Sequence, residues 1–138
     1  MPRRAFASPA CLLAEGGVDG HRTPRVAVKR ISEPRSRSDG LRILVARLWP
    51  RGVPKNAGLF SVWAKELAPS TPLRAWLRQD PARWPAFVSR YRRELQPHRV
   101  EIEALRASAC RRQLTLLHAW RNPRRNHALV LKRLIERL

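Results

Sequence analysis

The sequence predicts a small α/β domain: a mostly parallel sheet of about three strands packed with helices, with a long helical crossover between strands two and three. Three observations predict it. Leu41 to Leu48 is a near-continuous apolar run that ends abruptly in Trp49-Pro50-Arg51-Gly52, the pattern of a strand covered on both faces. Leu114 to Trp120, L-T-L-L-H-A-W, repeats that pattern. Between them lie roughly sixty residues of helical period, enough to join parallel strands.

Each element has its own signal. Residues 1–24 mix Pro, Gly, Ala and Arg without periodicity and are predicted to be a disordered tail, leaving 25–138 as a single domain. Val26 to Ile31 reads as a short strand, and Ser32 to Gly40 as a polar loop closed by an Asp-Gly turn. From Gly58 the period becomes helical, with Leu59, Val62, Trp63 and Leu67 on one face. Ser70 or Thr71 caps the next helix, Pro72 sits in its first turn, and Leu73, Trp76 and Leu77 face inward. Asp80-Pro81 repeats the start signal. Trp84, Phe87, Val88, Tyr91 and Leu95 then form the cleanest amphipathic stripe in the chain, with Pro85 near its start. Pro97 opens a further helix. Asn122-Pro123 pairs a cap residue with a first-turn proline and predicts the start of the last helix, whose inner stripe is His127, Leu131, Leu134 and Leu138.

The chain of 138 residues carries a net charge of +19, from 25 arginines and four lysines against ten acids. The first 25 residues hold only four of the basic side chains, so the charge belongs to the domain. It invites a nucleic-acid reading. Arg, Ala and Pro are also the trio that GC-rich codons produce, which leaves composition alone an insufficient warrant. No apolar run reaches the ~18 residues of a membrane span. Cys11 and Cys110 make no disulfide framework, and with no metal-spaced cluster or Gly-rich phosphate loop the reading is a reduced, cytoplasmic protein without a metal or cofactor.

Parallel strands bring both strand C-termini to one edge, where open α/β sheets bind ligands. Arg47 to Gly52 and His118 to His127 are therefore expected to face each other across one crevice. Arg47 and Arg51 either clamp a phosphate or carboxylate or are respectively paired with an acid such as Glu66 and solvated. Trp49 either stacks on a base or sugar or packs on the protein. His118 and His127 are candidate proton-transfer groups, with core histidines as the alternative. The dipole at the last helix's N-terminus favours a neutral His127. Asn122 is foremost a cap. Arg121, Asn122 and Asn126, with Arg124, Arg125 and free N–H groups from Pro123 onward, would complete an anion cradle.

Three blocks carry a family resemblance: A-R-L-W-P-R-G at 46–52, K-E-L-A-P-S-T at 65–71 with D-P-A-R-W at 80–84, and T-L-L-H-A-W-R-N-P-R-R-N-H-A at 115–128. With these, residues 25–138 resemble the YeaO-like bacterial proteins, the domain of unknown function 488. Arg47, Trp49, Pro50, Arg51, Gly52, Asn126 and His127 match the family's pattern and, by the resemblance, carry its presumed site. The resemblance also implies aspartates where this chain has Ala46 and Asn122, tyrosine at His118 and histidine at Arg125. The cationic half of the implied site is kept and two carboxylates are missing. The expected function is binding of a small anionic, phosphate-bearing ligand at the strand edge, with or without acid/base catalysis by the two histidines. The alternatives are a nucleic-acid-associated basic protein and a catalytically degenerate scaffold. The sequence does not fix the oligomeric state.

Overall fold

A computed structural model describes residues 23–54 and 58–137. Residues 1–22 of the expected tail, and the stripe position Leu138, lie outside the described residues. Four strands form one all-parallel sheet in the order β1-β4-β2-β3: β1 Val26–Arg30, β2 Leu41–Leu44, β3 Val62–Trp63 and β4 Leu114–His118. Among the described residues four α-helices accompany it: α1 Thr71–Gln79, α2 Trp84–Leu95, α3 Arg99–Arg111 and α4 His127–Arg137. The sheet is therefore small and parallel, as expected, with one strand more than the sequence predicts.

The extra strand is β3, which lies where the spacing of Leu59, Val62, Trp63 and Leu67 suggests a helix. Tertiary need overrides that spacing. The outer edge of β2 has unpaired backbone groups, and the segment satisfies them: Ser61 N–H donates to Arg42 O at 3.0 Å and Ala64 N–H to Leu44 O at 2.8 Å. Only a 3₁₀ turn, Lys65–Leu67, follows before α1.

Strand β2 is shorter than its apolar run. Val45 N–H still bonds Leu117 O at 2.9 Å, but the Val45 carbonyl goes to the imidazole of His127 at 2.6 Å, which ends the ladder. Leu48, beyond it, is 69% exposed.

The signals for α1 and α2 hold. Ser70 Oγ accepts from Leu73 N–H at 3.3 Å, and Phe87, Tyr91 and Leu95 are buried. Pro85 occupies the first turn of α2, where a missing N–H costs nothing. The start of α4 differs. The helix begins at His127, and Asn126 is its cap, the Oδ1 atom accepting from Leu129 N–H at 3.0 Å. Asn122 instead caps a turn before it, accepting from Arg124 N–H at 2.8 Å and Arg125 N–H at 3.1 Å.

The helices pack on one sheet face around Ile43, Val45, Leu114 and Leu116. A smaller cluster of Ile31, Leu44 and Leu117, with Phe60 and Trp63 against it, covers the other. That second face also holds a buried polar knot. The Asp39 carboxylate accepts from Arg42, from Lys29 Nζ at 3.2 Å and from Ser36 N–H at 3.0 Å, while Thr115 Oγ donates to the Asp39 carbonyl at 2.6 Å. Arg42 is 1% exposed.

Gly40 joins that knot to β2 at a φ of 64°, and a Cβ there would lie 2.1 Å from the Gln113 carbonyl oxygen. That oxygen is fixed, because it accepts from Leu41 N–H at 2.9 Å. Gly40→Ala is expected to cost about 2 kcal/mol from the left-handed backbone and the backbone clash together. A urea midpoint within error of the parent's would contradict this.

Candidate functional site

The chain leaves β2 outward to β3, whereas it leaves β4 toward α4, which packs on β1 and β4. The gap between the ends of β2 and β4 is thus the position at which open parallel sheets bind ligands. Here the gap is occupied by His127. Its Nε2 donates to Val45 O, which leaves Nδ1 as the bare nitrogen, and that atom is buried without a partner. Its ring stands edge-on to Trp120 at 5.0 Å, Tyr91 at 6.2 Å and His118 at 6.3 Å. Burial, with smaller contributions from His118 and Arg74, pushes its pKa down to about 3 against the Val45 bond. Burial heads the causes of its neutrality.

His118, also buried, accepts from Trp120 N–H through Nδ1 at 3.0 Å, so the proton of the neutral ring sits on Nε2. Burial and then the Arg30 charge push its pKa down to about 4, with Glu33 opposing. Both imidazoles are neutral at pH 7. Tyr91 donates to Leu67 O at 2.5 Å, and burial raises its pKa far above the ordinary phenol.

The sequence-predicted residues divide around this plug. Arg47 is half-buried; its Nε donates to Ala68 O at 3.1 Å, next to the carbonyl held by Tyr91, and its charge acts on that phenol. The strand end that carries Arg47 and the start of α4 therefore do meet. Trp49 packs into the smaller cluster, 5.2 Å from Phe60 and 5.5 Å from Trp63, with Nε1 bonded to Val53 O at 2.6 Å. Its partly buried ring packs on these two aromatic neighbours. Arg51 is exposed in the turn that follows. Asn126 is buried and engaged through both side-chain groups, Oδ1 capping α4 and Nδ2 donating to Asn122 O at 2.9 Å. The N–H groups of Arg124 and Arg125 are taken by Asn122, so the cradle expected from Pro123 onward does not form from them.

Open space lies beside the plug. A cavity of about 440 Å³ is lined by Arg74 and Arg78 of α1 and by Trp120, Arg121 and Asn122 of the loop after β4. Of the expected ligand-binding residues it takes in Arg121 and Asn122. The Arg74 guanidinium lies 5.8 Å from the Trp120 ring centre, and its Nε is buried without a partner. Burial and then the neighbouring Arg78 lower the pKa of Arg74. Sequence reasoning missed both arginines of α1. The available signal was their spacing of four, which puts like charges on one helix face. Among the described residues no group of three or more His, Cys, Asp or Glu is placed to hold a metal ion, and no helix is long and apolar enough to cross a membrane.

A small all-parallel α/β domain with a plugged strand edge is the class these observations define. The chain matches, over residues 25–138, the family described as the inactive DUF488-N3 subclade, and it belongs to that family. It is 42% identical over 106 residues to the uncharacterised protein YeaO of Escherichia coli K12, spanning 77% of this chain and 92% of YeaO. It is 40% identical over 114 residues to the uncharacterised proteins Mb3100c of Mycobacterium bovis and Rv3073c of Mycobacterium tuberculosis, spanning 83% of this chain and 96% of each. No solved structure matches the chain.

Proposed function

We propose that the protein binds a compact anionic ligand, phosphate-bearing or carboxylate-bearing, without transforming it. The observation that carries this reading is the composition of the cavity wall: three arginines, Arg74, Arg78 and Arg121, and no carboxylate. Its volume of about 440 Å³ falls within the ~300–1,000 Å³ of small-molecule sites. Arg74 and Arg78 repel each other one turn apart, and an anion between them removes that repulsion and supplies the buried Arg74 Nε with an acceptor. Asn122 spends its side-chain oxygen on the turn and keeps its amide hydrogens for the ligand.

Several observations argue against catalysis at this edge. His127 uses one ring nitrogen to hold Val45 and is 2% exposed. His118 has one nitrogen bonded to Trp120 N–H, and both rings resist protonation at neutral pH. The family's description as inactive agrees, as do alanine at 46 and asparagine at 122, where the resemblance implies aspartates.

Calorimetric titration with pyrophosphate and with a nucleoside monophosphate tests the reading. Arg74→Ala combined with Arg78→Ala is expected to weaken binding by at least about tenfold, the worth of one or more charge-assisted hydrogen bonds. Arg47→Ala should leave the affinity unchanged. Equal affinity of the parent and the double variant would overturn the assignment.

A further inference from the structure

We infer that this cavity is one end of a longer track for single-stranded nucleic acid, which crosses α1 and enters a second arginine-lined cavity on the helix's other side. The inference rests on the anion-binding reading of the first cavity and extends it to a polymer. The second cavity, of about 480 Å³, is walled by Ser70, Trp76, Arg90, Arg93 and Glu94 among others. Helix α1 supplies residues to both: Arg74, Leu77 and Arg78 to the first, Pro72, Leu73 and Trp76 to the second.

The two cavities repeat one chemical motif. Each contains a half-buried tryptophan with a guanidinium over its ring. Arg90 lies 4.2 Å and Arg83 4.8 Å from the Trp76 centre, as Arg74 lies 5.8 Å from that of Trp120. A guanidinium stacked on an indole keeps its N–H edges for phosphate and its outer plane for a base. Five arginines thus line the two cavities against one acid, Glu94, whose oxygens are held by Ser70 N–H at 2.9 Å and Ser70 Oγ at 2.6 Å.

A single metabolite fills one such cavity. Two of them on either flank of a helix about 10 Å across suit a flexible backbone with repeating phosphates and stackable bases. A duplex, stiff over about 150 base pairs, cannot dip into both sides of a convex helix.

Fluorescence anisotropy with an oligothymidylate of about 15 nucleotides, close to the upper site size of a single-strand binding module, tests the track. Arg90 and Arg93 are exposed on α2, so Arg90→Ala with Arg93→Ala should fold normally. The pair is expected to weaken oligonucleotide binding at least about tenfold and to flatten the salt dependence by about 1.4 in log–log slope, the share of two phosphate contacts. The pyrophosphate affinity that depends on Arg74 and Arg78 should not change, since those two residues line the first cavity. Arg111→Ala with Arg112→Ala removes the same charge from exposed positions at the end of α3, before the start of β4, and should have a small effect. Equal weakening by the two pairs would reduce the affinity to the general field of a +19 chain and overturn the track. Oligonucleotide binding indifferent to Arg90 and Arg93, with pyrophosphate still bound, would overturn it and leave the small-ligand site standing. Loss of pyrophosphate binding in the parent would instead sink the reading on which the track depends.

Discussion

Asp39→Ala is expected to lose 3–5 kcal/mol of stability, the cost of breaking a buried ion pair by deleting one partner. The Arg42 side chain is 2% exposed and meets the Asp39 carboxylate; one of its terminal nitrogens, Nη2, already lacks a partner. Without the carboxylate a guanidinium is left in the sheet's interior with only the Leu59 carbonyl, 2.6 Å from its Nε, to hold it. Ser36 N–H and Lys29 Nζ lose an acceptor as well. A domain of this size has about 5–15 kcal/mol in hand, so the variant should unfold in mild urea or fail to accumulate as folded protein. Adding Arg42→Met to Asp39→Ala should recover much of the loss, because a well-packed apolar side chain replaces the stranded charge. A single variant as stable as the parent, or a double variant no better than the single, would show that the knot does not hold the second face.

The same knot marks where the sequence was readable and where it was not. Ile43, Val45, Leu114 and Leu116 announce buried parallel strands because such strands are apolar on both faces. Arg42 sits inside that run and is among the largest fully buried side chains, yet its partner comes from Ser32–Gly40, a stretch that reads as a polar loop. Only the fold brings the two together. The tryptophan of the strand-end motif faced a similar limit: a Trp after a strand is equally suited to a ligand and to a cluster, and the positions of Phe60 and Trp63 decide. Asn122 and Asn126 are both good caps, four residues apart. Starting at 126 places His127 where it can reach Val45 O, which local signals cannot convey. The meeting of the β2 end with the start of α4 was legible, because it follows from parallel topology. That packed rings fill the meeting point was not, because volume has no local signature. Arg74 and Arg78 were passed over since an exposed face of a short helix ordinarily carries solvated charge, and the loop after β4 is what turns that face into a wall.

The plug itself predicts the chain's response to acid. His118 and His127 have folded pKa values pushed down to about 4 and about 3, against about 6.5 in an unfolded chain. Between about pH 6.5 and 4 the unfolded state binds more protons than the folded one, so stability falls as pH falls. Above that window the two histidines contribute no pH dependence, and below their folded values the full penalty is in place. His127 alone should cost about 3 kcal/mol by about pH 4.5. Asp39 adds a separate loss at lower pH. Burial pushes its pKa up, but Ser36 N–H, Lys29 and Arg42 outweigh that and hold it below the ordinary aspartate value, so its contribution is present above the unfolded value and disappears as pH falls through the lower, folded one. Urea unfolding at about pH 7, 6 and 5 should therefore give a stability slope that approaches about 3 kcal/mol per pH unit at the acid end, the signature of about two extra protons on the unfolded chain. His118→Tyr, which installs the residue the family resemblance implies there, should halve that slope while leaving the His127–Val45 bond in place. A flat profile from pH 7 to 5 would mean that the two rings are open to water and that the strand edge is not sealed. In that case the imidazoles would return as candidate proton-transfer groups, and the case for a binding protein without catalysis would lose its main support.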